Sequence, residues 1–112
     1  MDVFYALAEP TRRNIIEMLA ASGKLSASDI CDKFQVSPPA ISQHLKVLRE
    51  AKLVQIEKRA QQRIYQIDPA GILQLEEWTR QMKQLWDKRF NALDKLLEVE
   101  KKRGVEKHGR SK

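Results

Sequence analysis

The chain is short and basic: it has 112 residues, with 21 Lys and Arg against 15 Asp and Glu, and a formal net charge of +6. This length predicts one domain, and no apolar run approaches the roughly 20 residues that a membrane-spanning helix needs. The charge favours a polyanionic partner such as nucleic acid. The one cysteine, Cys31, excludes an intrachain disulfide, and no signal peptide is visible, so we expect a cytoplasmic protein.

Two helices are predicted at the start of the chain. The first spans about residues 2–7, with Phe4 and Leu7 among its apolar residues. The second begins at Pro10, which suits a first helical position because no N–H is needed there, and continues to Ala21. The proline also interrupts the first helix.

Two adjacent arginines, Arg12 and Arg13, fall in the first turn of the second helix. A positive charge there opposes the helix dipole, which is unfavourable without an anionic partner. The partner is either a DNA phosphate or the carboxylate of Glu9 or Glu17. The sequence leaves these alternatives open.

The next segment predicts a helix-turn-helix. Ser26 caps a third helix, residues 26–34, and Asp29 lies three residues on, as in a capping box. After a short turn at residues 35–36, Ser37 caps a fourth helix. Two short helices joined in this way form the helix-turn-helix arrangement, in which the second helix reads the major groove of DNA.

The fourth helix has two different faces. Apolar Ile41, Leu45 and Leu48 recur at helical spacing and form one stripe. In its first two turns the other face holds small, amide and hydroxyl side chains, which suit the reading of base edges. The residues of this face and its edge are Pro39, Ser42, Gln43, Lys46, Arg49, Glu50 and Lys52. An ordinary solvent-exposed helix face explains the same pattern. The sequence before and after the helix is therefore needed to distinguish a DNA-reading face from a solvated one.

After this helix the spacing of the apolar residues changes from that of a helix to that of β-strands. Residues 53–56 and 63–67 predict a hairpin, and its tip, residues 58–63, contains Lys58, Arg59 and Arg63. The tip lacks Gly and Asn, so we expect a loop longer than two residues. A basic hairpin directly after a reading helix is typical of a winged helix, where it reaches the phosphates beside the groove.

A long amphipathic helix is predicted from about Ile72 to Val99. Its apolar stripe consists of Leu75, Trp78, Met82, Leu85, Trp86, Phe90, Leu93, Leu96 and Leu97. A domain of this size cannot cover such a helix, so we expect burial against a second copy in a two-fold dimer. Trp and Met at this spacing indicate packing, and we predict no cofactor. The basic, nearly apolar-free residues 100–112 predict a disordered tail after a domain of residues 1–99.

Taken together, the chain resembles the ArsR family of winged-helix repressors over roughly residues 3–99. Residues 3–13, 37–48 and 63–67 carry the resemblance. The pattern from Trp78 to Leu97 looks like that of the subgroup without metal sites. The resemblance implies a mainly α (α+β) fold, a winged helix-turn-helix with a two-stranded β-hairpin wing and a long C-terminal dimerisation helix. It also implies a homodimer, held by the first and last helices, that binds an inverted repeat in its own operator.

The metal sites of this family do not transfer to this chain. Its metalloid sensors place Cys-x-Cys at the start of the third helix and a further cysteine three residues on. The matching positions hold Ser26 and Ser28, and only Cys31 remains. Zinc and nickel sensors use His and acidic ligands on the last helix, whereas residues 72–99 contain no His. We therefore expect no metal site, and we expect His44 to pack or to contact a phosphate.

The sequence thus predicts two sets of functional residues. The double-stranded DNA contacts are Ser37, Pro39, Ser42, Gln43, Lys46, Arg49, Arg12, Arg13, Lys58, Arg59 and Arg63. The dimer contacts are Phe4, Leu7, Trp78, Met82, Leu85, Trp86, Phe90, Leu93 and Leu97. In this prediction a dimer presents two reading helices to successive major grooves about 34 Å apart.

Other functions are weaker explanations of the sequence. An enzyme is disfavoured because no acid–base constellation or phosphate-cradling glycine loop is present, and only four glycines occur. A winged-helix module that binds protein instead of DNA fits the fold but not the basic charge of residues 37–68. A thiol-responsive repressor acting through Cys31 requires a reactive cysteine, whereas a buried thiol is inert. The sequence leaves open what relieves repression: a partner protein, a small ligand in the dimer interface, or mere competition.

Overall fold

A computed structural model describes residues 2–108, with side chains for residues 2–100. The elements in chain order are α1 (Val3–Leu7), α2 (Pro10–Ser22), β1 (Lys24–Ser26), α3 (Ala27–Asp32), α4 (Pro38–Glu50), β2 (Val54–Arg59), β3 (Gln62–Ile67) and α5 (Pro69–His108). The chain divides into two compact units, Met1–Glu76 and Glu77–Lys112. The first unit holds α1 to α4, the sheet and the first two turns of α5, and the rest of α5 lies in the second unit.

The sheet of the first unit has three antiparallel strands in the order β1-β3-β2. The predicted hairpin is confirmed as β2 and β3, with Ile56 opposite Tyr65. Strand β1, which places Ser26 opposite Ile64, was not predicted. A three-residue strand is too short to show alternation, and its partner lies far along the chain, so no local pattern could reveal it.

The turn at the tip of the hairpin is tighter than the sequence predicts. Arg59 pairs with Gln62, which leaves only Ala60 and Gln61 in the turn. Ala60 takes a φ of +54°, a conformation that glycine normally supplies and that costs another residue about 1–3 kcal/mol. The expectation of a longer loop is therefore wrong, because the paired strands hold a residue other than glycine in this conformation.

A single apolar core holds the first unit together. Ile15 and Leu19 of α2, Ile30 of α3 and Ile41 and Leu48 of α4 are completely buried. Their positions confirm the predicted apolar stripe of α4. Because side chains three and four residues apart share one helix face, burying this stripe turns the opposite face of α4 to solvent.

Helix α4 ends in a Schellman motif. The backbone N–H of Lys52 donates to the carbonyl of Arg49 at 3.0 Å, and that of Leu53 donates to the carbonyl of Leu48 at 2.9 Å. Lys52 takes the left-handed conformation that the motif requires, with φ +60°. Leu53 is completely buried, so the motif seals the end of the helix and leads the chain into β2.

The first turn of α5 is bonded to this same motif. The carbonyl of Leu53 accepts from the N–H of Asp68 at 2.9 Å, and the carbonyl of Lys52 accepts from the N–H of Gly71 at 2.8 Å. Pro69 is the first helical residue, so α5 begins earlier than the sequence predicts. A proline suits this position, because its missing N–H has no cost at the start of a helix.

The far end of α5 lies at His108, beyond the predicted end near Val99. The predicted tail, residues 100–112, falls outside the residues with described side chains, apart from Glu100. The predicted domain boundary after residue 99 therefore stays a prediction. Of the helices that the structure describes, none is long and apolar enough to cross a membrane.

Replacing Gly71 with Ala should destabilise the fold, because a Cβ there would lie 2.7 Å from the carbonyl oxygen of Lys52 and 2.8 Å from Cδ2 of Leu53. We expect a loss of about 1–3 kcal/mol, measured by chemical denaturation, even though Ala favours helices. The control Ala70→Ser, at the exposed neighbouring position, should change stability by less than about 0.5 kcal/mol. A Gly71→Ala variant as stable as the control would contradict the close packing of α5 on the end of α4.

Candidate nucleic-acid interface

The helix-turn-helix is fixed by two side-chain caps. Ser26 and Asp29 form the predicted capping box at the start of α3: the N–H of Asp29 donates to Oγ of Ser26 at 3.1 Å, and the N–H of Ser26 donates to Oδ2 of Asp29 at 3.3 Å. Oγ of Ser37 accepts from the N–H of Ala40 at 3.3 Å and caps α4. Helix α3 ends at Asp32, earlier than predicted, and residues 33–37 lead to α4.

The solvent face of α4 holds the predicted base-reading residues together. All of the predicted residues on this helix and its cap are exposed: Ser37, Pro39, Ser42, Gln43, Lys46 and Arg49. None of them is covered by another part of the described chain. An exposed row of hydroxyl, amide and basic groups on a rigid helix can donate to and accept from base edges.

A cleft of about 240 Å³ lies between this face of α4 and strand β3. Its walls are formed by Ser42, Gln43, Leu45, Lys46, Arg49, Arg63 and Tyr65. Within the described residues, no carboxylate pairs with Lys46, Arg49 or Arg63. Tyr65 was not among the predicted site residues, since its place in an alternating strand indicated only packing. The cleft thus brings residues of the helix and the hairpin into one basic surface.

The hairpin of β2 and β3, here called the wing, concentrates further positive charge. Lys58 and Arg63 are directly opposite each other, and like charges at such positions repel across a sheet. An anion bound near both would remove this repulsion. The wing therefore has the arrangement expected of a phosphate-contacting element.

One wing cation already has partners within the protein. Arg59 Nη2 lies 3.3 Å from Oε2 of Glu57, and Lys24 Nζ donates to the same oxygen at 3.3 Å. Hydrogen bonds from Arg59 and then Lys24 lower the pKa of Glu57. This cluster is therefore intact above the ordinary pKa of a glutamate and is lost only as the pH falls through the lowered value. At neutral pH, Glu57 is therefore charged and pairs with Arg59.

Arg12 is not placed to contact phosphate, contrary to the sequence prediction. It is only 8% exposed. Its Nε donates to the carbonyl of Ala6 at 2.7 Å, and its Nη2 donates to the carbonyl of Tyr5 at 3.2 Å. Nη1 lies 3.3 Å from Nδ1 of His44. The guanidinium caps the end of α1 from inside the protein, so Arg12 leaves the set of phosphate contacts.

Arg13, in contrast, is exposed. Its Nη1 donates to the carbonyl of Leu7 at 2.7 Å, which holds the side chain across the end of α1. Its other guanidinium N–H groups remain able to meet a phosphate, so its predicted role stays a prediction.

The predicted dimer residues fall in both compact units. In the first unit Phe4 is 43% exposed, whereas Leu7 is half-buried and packs on the core. In the second unit the stripe of α5 is exposed at each predicted position: Trp78, Met82, Leu85, Trp86, Phe90, Leu93 and Leu97. Trp86 and Phe90 pack edge to face with ring centroids 4.9 Å apart. Such a continuous apolar surface is typical of a protein interface.

The candidate sensing residues are dispersed. Among the described residues, no group of three or more His, Cys, Asp and Glu side chains could hold a metal ion. Ser26, at one position where a metalloid sensor has cysteine, serves as the buried cap of α3. Cys31 is a free, half-buried thiol packed against the core.

An exposed polar helix presented by a helix-turn-helix, next to a basic hairpin, defines a winged-helix DNA-binding protein. The model of the bacterial regulatory protein arsR family matches residues 9–55. The chain is 45% identical over 80 residues to the HTH-type transcriptional regulator Rv2034 of Mycobacterium tuberculosis, covering 67% of this chain and 74% of that protein. It is 32% identical over 77 residues to the transcriptional repressor SdpR of Bacillus subtilis, covering 69% and 84%.

The comparison of structures agrees with the comparison of sequences. The ArsR-like transcriptional regulator from Rhodococcus sp. RHA1 superimposes with a TM-score of 0.76 at 29% identity, over 87% of this chain and 88% of that one. The chain belongs to the arsR family of bacterial regulatory proteins, and it is a DNA-binding transcriptional regulator, not an enzyme.

Replacing Glu57 with Gln should strengthen DNA binding, because Arg59 and Lys24 lose a competing carboxylate. We expect the affinity for any duplex to rise about twofold to fivefold at low salt, with a smaller gain at high salt. Fluorescence anisotropy with a labelled duplex measures this effect. Glu76→Gln is the control, since it removes the same charge from an exposed site outside the wing. Equal gains in both variants would show that only net charge matters, and not the pairing of Arg59.

Proposed function

We propose that the chain is a homodimeric repressor that binds an inverted repeat in double-stranded DNA near its own gene. The observation that carries this proposal is the cleft between α4 and the wing, where Lys46 and Arg49 of α4 lie beside Arg63 of β3. Among residues 2–100, none of these three cations pairs with a carboxylate. Unpaired cations beside a helix that fits the major groove suit the phosphates that border that groove. This activity belongs in the cytoplasm, with the DNA.

The residues divide into two kinds of contact. Ser42, Gln43 and Lys46 lie on the exposed face of α4 and meet base edges, with Gln43 suited to a bidentate contact with adenine. The phosphate contacts are Ser37, Arg13, Arg49, Lys58, Arg59 and Arg63. Pro39, in the first turn of α4, lies against the DNA backbone. Arg12 is omitted because its guanidinium is buried and bonded to carbonyls.

The dimer would be held by the apolar surface of α5 together with Phe4 and Leu7 of α1. The stripe from Trp78 to Leu97 is exposed in the single chain, and a second copy can cover it by presenting the same surface. Two copies related by a two-fold axis match an inverted repeat with half-sites about one helical turn apart. The dimer thereby doubles the number of base contacts.

Repression is favoured over activation by the relative that is named a transcriptional repressor, SdpR. A dimer bound at its own promoter would block access by polymerase. No metal-dependent release is proposed, because Ser26 and Ser28 replace the cysteines of a metalloid site and Ser26 is committed to its cap.

Binding to the chain's own upstream DNA, against a scrambled duplex and across a salt series, tests this function. We expect a preference for the upstream fragment of at least about a thousandfold. Gln43→Ala should weaken binding to that fragment by about 1–3 kcal/mol and leave the scrambled duplex unchanged. Arg63→Gln should weaken both duplexes alike and reduce the slope of log affinity against log salt by about one.

The variants serve as controls for each other, since one alters specificity and the other alters charge. Equal weak binding of the wild type to both duplexes would mean that charge alone attracts DNA, and it would remove the repressor proposal. If Gln43→Ala bound the upstream fragment as the wild type does, the proposed orientation of α4 would be wrong.

Replacing Leu93 with Glu should break the dimer, since it places a charge in the middle of the apolar stripe of α5. We expect a monomer at micromolar concentration by sedimentation equilibrium, and loss of the preference for the operator. Leu73→Glu is the matched control: Leu73 is also an exposed leucine of α5, but it is not part of the predicted apolar stripe. A Leu93→Glu variant that remains dimeric would exclude this surface as the interface.

A further inference from the structure

A partly buried set of hydrogen bonds connects the start of the chain to the middle of α4. Arg12 donates through Nε to the carbonyl of Ala6 and through Nη2 to the carbonyl of Tyr5, and its guanidinium carbon lies 5.2 Å from the centre of the Tyr5 ring. Two fixed carbonyls orient a planar guanidinium completely. The remaining group, Nη1, is therefore held in one direction, toward His44.

The two ring nitrogens of His44 face Arg12 and Glu9. Its Nδ1 lies 3.3 Å from Nη1 of Arg12, and its Nε2 lies 3.8 Å from Oε2 of Glu9. Because an arginine can only donate, Nδ1 must accept, which puts the ring proton on Nε2 and directs it toward the carboxylate. Glu9 is itself fixed, since its Oε2 accepts from the backbone N–H of Arg12 at 3.1 Å. In this tautomer the ring accepts from Arg12, while its Nε2–H faces a carboxylate that lies beyond hydrogen-bond distance.

His44 lies at the boundary between the two faces of α4. It is half-buried, between the core residue Leu45 and the exposed reader Gln43. Apolar packing of Ile41 and Leu48 holds the helix against the core, but contacts of this kind are not directional. A hydrogen bond at the edge of the stripe is directional, so it restrains rotation of the helix about its axis.

Rotation of α4 matters because the reading side chains project from the helix. At a radius of about 5–6 Å, a turn of about 15° moves a side chain by roughly 1.5 Å. Recognition groups must be held within about 0.5 Å of their productive positions. A small rotation would therefore remove the base contacts of Gln43 while leaving flexible cationic side chains in reach of phosphates.

We propose that Arg12 and His44 are positioning residues for sequence readout: they fix the rotation of α4 and thereby the direction of Gln43. This inference rests on the proposed function, because it concerns preference between DNA sequences. Neither residue touches DNA in this proposal. Their contribution is visible in specificity, whereas general attraction to DNA depends on the exposed cations.

Two replacements of His44 separate hydrogen bonding from packing. His44→Phe keeps a flat ring but cannot accept from Arg12, whereas His44→Gln loses the ring but can accept from Arg12 and donate to Glu9. We expect His44→Phe to weaken binding to the operator about tenfold, the discrimination lost with one base contact, and to leave binding to a scrambled duplex unchanged. His44→Gln should restore most of the operator affinity.

The opposite result is that His44→Phe binds the operator as the wild type does and His44→Gln binds it more weakly. It would show that the residue only fills space, and it would overturn the proposal. Equal losses on operator and scrambled duplex would overturn it as well, because positioning affects sequence preference alone. Thermal unfolding of each variant identifies misfolding, and a variant that fails to fold is replaced by the measurement that follows.

Nitrogen-15 NMR of the histidine ring in the wild-type protein provides that independent measurement. We expect the proton on Nε2 and an unprotonated Nδ1, and a ring that carries its proton on Nδ1 would contradict the bond from Arg12. The wild-type binding experiment separates the two proposals. If the wild type shows no preference for its upstream DNA, the proposed function fails; if it shows the preference but His44→Phe does not reduce it, only the positioning role fails.

Discussion

The burial of one stripe of α4 is the constraint on which the arrangement of this protein depends. Ile41, Leu45 and Leu48 are among the core residues that are almost completely removed from water, and burying each such side chain contributes on the order of 1.5–3 kcal/mol. The same helix must present its other face to a ligand. Hydrophobic burial therefore fixes which residues face outward, and the polar caps and the end motif fix where the helix starts and ends.

The electrostatics of the surface follow from which cations have partners. Arg12 is used inside the protein, and Arg59 is held by Glu57. Lys46, Arg49 and Arg63 surround the cleft, and within the described chain no carboxylate pairs with them. The net charge of the sequence predicts the sign of the partner's charge. The pattern of paired and unpaired cations predicts where on the surface that partner is attracted most strongly.

Local sequence patterns were enough to predict the helices, the caps and the hairpin. The stripe of α4 and the capping serines Ser26 and Ser37 are read from neighbouring residues, because helix periodicity and caps are local. The exposed face of α4 followed from the stripe. For the same reason the prediction identified most residues that line the cleft.

The features that the sequence did not predict depend on partners far away along the chain or on backbone strain. Arg12 and Arg13 are adjacent and look alike in sequence, yet Arg12 is buried because the carbonyls of α1 turn toward it. Strand β1 exists because β3 offers it an edge, and Ala60 takes its left-handed conformation because the strands on both sides are already paired. No pattern of neighbouring residues encodes these relationships, since each is set by the tertiary structure.

Ser26 has a double role with a thermodynamic consequence. It is the last residue of β1, paired with Ile64 of the wing strand, and it is also the cap of α3. One residue thus joins the sheet to the helix-turn-helix, so the two elements cannot shift independently. A reader that is already rigid loses little conformational entropy on binding. Any mismatch in shape must then be met by bending or twisting of the DNA duplex, which makes the stiffness of the DNA sequence part of the selection.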